Sequence, residues 1–317
     1  MGEGKELKDI SWLKKEIARL KKEKNALIMA HYYQRDEIQE IADFIGDSLA
    51  LAREAAKTDA KVILMCGVHF MGETAKILCP DKKVIIPDAA AGCSLADSCN
   101  PEEFREFVEA RPDHTVISYV NTSAAVKALT DIVVTSGNAR QIVEKLPEDE
   151  KIIFGPDYNL GEYINSVTGR KMVLWKGACH VHDRFSLEKI LEMKKEHPGA
   201  KILVHPECKR PLQLIADKVG STAALLDFAQ KDDAKEFIVV TESGILFEMR
   251  NKCPEKVFLA APGEDAECQC NECDFMKMNT LQKVYEALRD EKPEITVDEE
   301  IAVKAVKPIE RMLEMSK

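Results

Sequence analysis

Three residues able to handle protons recur at one period along this chain: His31, Tyr119 and His205 stand 88 and 86 residues apart. A lone histidine in such a place is ordinarily a satisfied core residue. Here His31 is followed by Tyr33 and His205 by Glu207, and pairs of this kind suit acid–base work. Ser48, Ser136 and Thr222 repeat at the same two intervals. Each falls where a helix is expected to begin, which makes it an N-cap candidate. Three helix starts turned to one cavity would also offer free N–H groups and positive dipole ends to a carboxylate or phosphate. The third set is sulfur: Cys93, Cys179 and Cys273 each follow the last apolar run of their third, with the interval stretching from 86 to 94 residues.

Three distant thiolates brought to one place suggest an iron–sulfur centre. Ordinary clusters take four thiolates, so three would leave one iron open to substrate, acting as a Lewis acid rather than an electron relay. Gly92 beside Cys93, and Gly177 and Ala178 before Cys179, would let a bulky group approach the backbone. A local alternative is zinc held by Cys268, Cys270 and Cys273 with Cys253, although this crowded loop lacks the two well-spaced ligand pairs of a closed zinc site. Cys66, Cys79, Cys99 and Cys208 lie in or beside strands and helices and are expected to be packing thiols. His180 and His182 flank Val181 just after Cys179. In an extended segment they point opposite ways, so at most one is expected to face the site.

The elements that must position these groups follow the same period. Asp43, Asp131 and Asp217 recur at 88 and 86. Apolar β-type runs recur at 26–30, 115–120 and 201–205, at 61–66, 151–154 and 237–241, and at 83–86, 171–175 and 256–260. Helical stretches fall between them at 38–42, 49–57 and 71–78, at 124–129 and 138–146, and at 212–216 and 223–230. Two more close the chain at 280–288 and 297–315, the last capped near Thr296 or Asp298. Strand and helix alternating in this way predict an α/β fold built on parallel sheets. The expected architecture is three similar Rossmann-like αβα domains, 1–112, 113–198 and 199–317, about a pseudo-threefold axis. Ligands of open parallel sheets bind beyond the carboxyl ends of the strands, so the repeated groups are expected around one central active site.

Composition narrows the partners. The chain has 317 residues, 32% of them charged, and a net charge of −10, which offers no basic face to nucleic acid. The first 25 residues mix Trp12, Leu13, Ile17 and Leu20 with lysines and read as an amphipathic surface helix rather than a signal peptide. No run approaches the roughly 20 apolar residues of a membrane span. A cytoplasmic location is expected, and in a reducing compartment ten cysteines point to metal or thiol chemistry rather than a disulfide framework.

Read together, these residues resemble the quinolinate synthase family over nearly the whole chain. The resemblance rests on His31-Tyr32-Tyr33-Gln34, Gly46-Asp47-Ser48, Cys66-Gly67-Val68-His69-Phe70-Met71, Ala91-Gly92-Cys93, Tyr119-Val120-Asn121-Thr122, Thr135-Ser136-Gly137-Asn138, Cys179-His180-Val181-His182, His205-Pro206-Glu207-Cys208, Gly220-Ser221-Thr222 and Met276-Lys277-Met278-Asn279. It implies a 4Fe-4S cluster on three cysteines, here Cys93, Cys179 and Cys273. It also implies condensation of iminoaspartate with dihydroxyacetone phosphate to quinolinate, a precursor of NAD, and a functional link to the enzyme supplying iminoaspartate. On that footing Glu207 is the expected main general base and acid, with Tyr33, His31 and His205 orienting or exchanging protons. Tyr119 and Asn121 would hold the intermediate, Ser48, Ser136 and Thr222 would seat its phosphate and carboxylates, and His182 would lie near the cluster. The chain departs from the family in its Cys-x-Cys-x-x-Cys spacing, where Cys-x-x-Cys-x-x-Cys is common, so a redox role for Cys268 and Cys270 is not carried over.

Three rival readings remain at this level. A cluster-dependent hydro-lyase would use the same open iron without a phosphate seat, and a zinc-stabilised binding protein would do no catalysis. A dehydrogenase would need a Gly-x-Gly-x-x-Gly turn after the first strand, which the chain lacks.

Overall fold

The structure, a computed structural model, describes residues 9–264 and 271–317. Twelve short strands form three sheets. The first holds β1 (Ala26–His31), β2 (Phe44–Gly46), β3 (Val62–Cys66) and β4 (Lys83–Ile85). The second holds β5 (Thr115–Tyr119), β6 (Ile132–Val134), β7 (Ile152–Gly155) and β8 (Val173–Leu174). The third holds β9 (Lys201–Val204), β10 (Lys218–Val219), β11 (Glu236–Val240) and β12 (Val257–Ala260). Each sheet is parallel and repeats one order, β2-β1-β3-β4, β6-β5-β7-β8 and β10-β9-β11-β12. Helices cover both faces of such sheets, which is why the central strands read as unbroken apolar runs: all five residues of β3 and all four of β7 are buried.

The recurrent aspartates explain how the first edge strand of each sheet is set. The backbone N–H of Asp43 donates to the carbonyl of Ile28 at 2.8 Å, and its carboxylate accepts the Ile28 N–H at 2.9 Å. Asp131 does the same to Val116, and Asp217 to Ile202, with every distance between 2.8 and 2.9 Å. One side chain thus closes a two-way bridge to the central strand just before the edge strand starts. The helix expected at 38–42 accordingly ends early, as Asp36–Gln39, because Asp43 is already committed to the sheet.

The terminal helices tie the units together. Helix Ile10–Glu23 buries Leu13, Ile17 and Leu20, one face at helical spacing, against β1 and helix Leu281–Asp290. Helix Glu299–Met315 starts at Asp298, whose carboxylate accepts the Glu300 and Ile301 amides. It packs on β6 and on helices His69–Leu78 and Ala124–Lys127, and so straps the first unit to the second. Its end is held by Arg53, which donates to the Ser316 carbonyl at 2.7 Å, and by Asn138, which donates to the Ser316 hydroxyl at 2.8 Å.

Candidate active site

Strands β1, β5 and β9 end at one cavity, which Asn121 and the chain's repeated polar residues enter from all three units. It is lined by all thirteen candidate residues: His31, Tyr33, Ser48, Cys93, Tyr119, Asn121, Ser136, Cys179, His182, His205, Glu207, Thr222 and Cys273. The loops after the central strands are braced by a repeat that sequence inspection missed, because its members differ in chemistry. Gln39, Lys127 and Gln213 occupy equivalent places and are all buried. Gln39 donates to the Tyr32, Gln34 and Gly244 carbonyls, Lys127 to the Thr122 carbonyl, and Gln213 to the Pro206 and Cys208 carbonyls. Burial pushes the Lys127 ammonium down to about 8.

The two strand-end histidines have the same local bond. His31 Nδ1 accepts the Tyr33 N–H at 3.2 Å and His205 Nδ1 accepts the Glu207 N–H at 3.4 Å. A nitrogen that accepts carries no proton, so in both neutral rings the proton sits on Nε2. The His205 Nε2–H then donates to the Ser136 hydroxyl at 3.2 Å. Burial pushes both imidazoles down to about 3 despite the nearby Glu207 carboxylate.

Glu207 is buried and answered by two donors from the second unit. The Tyr119 hydroxyl donates to Oε1 at 2.5 Å, and His182 Nδ1 lies 3.1 Å from Oε2. Burial alone would raise its pKa. The imidazoles of His182 and His205, with hydrogen bonds from His182 and Tyr119, outweigh that and hold the carboxylate below its usual range. Burial, reinforced by the Glu207 charge, pushes the Tyr119 and Tyr33 phenols well above their ordinary value, so both remain donors. Asn121 Oδ1 is buried with no partner among the described residues, an acceptor left over for a ligand in the cavity.

Two expectations about this region change. Ser48 and Thr222 are the first residues of their helices, and the caps are the residues before them: Asp47 accepts the Ala50 amide and Ser221 accepts the Ala224 amide. Ser136 lies in the turn ahead of helix Ala139–Lys145, where Asn138 bonds back to the Thr135 amide. Capping by neighbours leaves all three hydroxyls on the cavity wall. The segment after Cys179 is a tight helical turn, His182–Arg184, rather than extended chain, so His180 and His182 both line the cavity. His180 bonds Ser94 at 2.6 Å.

The three thiols share a local geometry. Cys93 and Cys273 are N-cap residues of the short helices Ser94–Asp97 and Asp274–Lys277, and Cys179 starts the turn before His182. Neither Cys93 nor Cys273 makes a side-chain bond to the helix it caps, and the Cys179 sulfur lies 3.3 Å from His182 Nδ1. Burial pushes the Cys93 thiol up to about 12 and the Cys273 thiol to about 11, so their thiolates need a cationic occupant. One compact group, Cys179, His182 and Glu207, has its ligand atoms within 4.8 Å of one another. Cys93 and Cys273 lie outside it, which suits an occupant wider than a single ion.

A Cβ at Gly177 would stand 2.4 Å from the Ser98 hydroxyl and 2.6 Å from the Pro156 carbonyl, so that glycine serves close packing between chain segments. Cys66, Cys79, Cys99 and Cys208 are buried free thiols, as is Cys253. Cys268 and Cys270 lie outside the described residues, and with them the zinc alternative and any redox pairing.

Sequence inspection also missed Glu242 and Lys277. Glu242 Oε1 accepts the Cys273 amide at 3.1 Å and the Lys277 ammonium at 3.0 Å, while Oε2 accepts the Gly244 amide at 2.7 Å. Lys277 also donates to the Tyr33 carbonyl at 2.9 Å, and Arg35 holds the Lys277 carbonyl at 2.8 Å. The Met-Lys-Met-Asn segment is therefore a latch between the first and third units. Only the motif itself could have drawn attention to it.

The family model described as quinolinate synthetase A protein matches residues 15–314. A quinolinate synthase of Chloroherpeton thalassium is 55% identical over 302 residues, covering 95% of this chain and 94% of its own. Those of Microcystis aeruginosa and Thermosynechococcus vestitus are 56% and 55% identical over 300 residues, with 95% and 94% covered in each case. With a matching profile and relatives of this identity along nearly its full length, the chain belongs to the quinolinate synthase family of enzymes.

Proposed function

We propose that the protein makes quinolinate for NAD biosynthesis by condensing iminoaspartate with dihydroxyacetone phosphate, and that a 4Fe-4S cluster sits on Cys93, Cys179 and Cys273. What carries this reading is that three thiols and a buried carboxylate with two donors line one cavity. When bound, such a cluster supplies a Lewis-acidic iron with a free position, which stabilises charge on a substrate oxygen.

The chain's own residues do the rest. Ring formation needs a new C–C bond, an imine, and loss of phosphate and water, so protons must leave carbon and reach departing oxygens. Glu207, ionised at rest, takes such a proton, and the Tyr119 and His182 donors on its two oxygens set its position and basicity. His31, with its proton on Nε2, donates to a substrate oxygen without adding charge, and His205 gives its own to Ser136, whose hydroxyl hydrogen is left for the substrate. Ser48, Ser136 and Asn121 bind the phosphate and carboxylates, and Thr222 holds the hydroxyl of Tyr33, which orients the intermediate. The units at 1–112, 113–198 and 199–317 each contribute one wall. No helix among the described residues is long and apolar enough to cross a membrane; a cytoplasmic location, beside the enzyme that supplies the unstable iminoaspartate, belongs to the same proposal.

The test is an anaerobic assay for quinolinate from the two substrates. Brown protein with about four irons per chain and turnover supports the reading. Colourless protein containing zinc, or dehydratase activity on a hydroxy acid without any on the triose phosphate, overturns it.

A further inference from the structure

Thr241, which directly follows β11, is buried and lies between two of the site residues. Its hydroxyl is 2.8 Å from the Tyr33 hydroxyl and 2.9 Å from His182 Nε2. The Tyr33 hydroxyl is in turn 2.8 Å from the Thr222 hydroxyl. These contacts and those of Glu207 form one file: Thr222, Tyr33, Thr241, His182, Glu207 and Tyr119.

The direction of each bond in the file follows from counting protons. The ionised Glu207 carboxylate only accepts, so the proton between it and His182 sits on the ring Nδ1. The Cys179 sulfur, 3.3 Å from the same nitrogen, would accept from it too. In the Nδ1–H tautomer Nε2 is an acceptor, and the one hydrogen of Thr241 goes there. Thr241 then accepts from Tyr33, and the oxygen of Tyr33 accepts from Thr222. We infer that Thr241 is a positioning residue, which holds His182 in the Nδ1–H tautomer aimed at Glu207 and turns the Tyr33 hydrogen away from the cavity.

Valine matches threonine in shape and lacks the hydroxyl. Thr241→Val should leave the iron content unchanged and lower kcat by about tenfold to a hundredfold, the worth of one hydrogen bond set against a charged group. KM should move little, and Thr241→Ser should restore most of the loss. These kinetic arms rest on the proposed function. An arm independent of it uses the protein without its cluster, labelled with nitrogen-15 histidine. The His182 resonances, assigned by their loss in His182→Gln, should show a protonated Nδ1 and an unprotonated Nε2, and the pattern should shift in Thr241→Val. A wild-type His182 protonated on Nε2 overturns the inference even if Thr241→Val proves unstable. Unchanged turnover and unchanged His182 signals in Thr241→Val overturn it as well. A wild type that makes no quinolinate sinks the functional reading, and the tautomer measurement then decides the role of Thr241 alone.

Discussion

The repeat behaves differently at the start of the edge strands and at the ends of the central ones. At the first place all three copies are aspartate, and Asp43, Asp131 and Asp217 make the same two bonds to Ile28, Val116 and Ile202. At the second, the copies read His31, Tyr119 and His205, and two residues later Tyr33, Asn121 and Glu207. The backbone frame is kept where it does one architectural job three times. It has diverged where three walls of one cavity need different groups. A single carboxylate stands among these six strand-end positions, and Tyr119 in the middle copy donates to it.

Changes at the divergent positions should therefore hurt turnover, and changes at the uniform ones should hurt stability. The largest effect is expected from replacing any one thiol. Cys93→Ser, Cys179→Ser and Cys273→Ser should each lose the cluster and all measurable activity, read as iron and sulfide per chain after anaerobic purification. Full iron in Cys273→Ser would remove that residue from the ligand set. Glu207→Gln should keep its iron and lose about 10²- to 10⁴-fold in kcat, the usual worth of a general base. Normal turnover there would dissolve the contrast. Tyr119→Phe removes the 2.5 Å donor and should cost about tenfold to a hundredfold in kcat with the fold intact.

Acid should act through the two matched histidines. His31 and His205 are held near 3 in the fold by burial, against about 6.5 in the unfolded chain. Between those values the unfolded state binds more protons, so the neutral buried rings cost stability as pH falls below about 6.5, and the loss deepens towards 3. Melting temperature measured on the cluster-free protein from pH 7.5 to 5 should fall. Replacing His205 with Asn should flatten that slope, and an unchanged slope would count against the buried neutral ring. The smallest effect belongs to Asp131→Ala, which should cost about 1 kcal/mol of stability in a denaturant titration and leave kcat per folded enzyme unchanged.

Much of the site was legible before any fold was known, because triplication prints chemical positions at equal intervals. His31, Tyr119, His205 and the Ser48 set could be found by counting, and apolar runs broken at Gly, Asp and Ser marked the strands. Counting worked less well where the members of a set differ. Gln39, Lys127 and Gln213 share a task without sharing a residue type, and their common bond is to carbonyls, which leave no mark on sequence. The shift of the helix caps from Ser48 and Thr222 to Asp47 and Ser221 is also beyond composition, since adjacent residues of both pairs can cap.

By itself the sequence determined the period, the parallel α/β alternation and which residue types the strand ends would present, since all of these are local consequences of chain order. The tertiary structure decided which groups meet. Tyr33 reaches Thr241 across 208 residues of chain, and Tyr119 reaches Glu207 across 88. Whether such a pair lies at 2.8 Å or far apart depends on how the three sheets are set against one another by long-range burial, and that packing also chose the tautomers, the ionised carboxylate and the latch through Glu242 and Lys277.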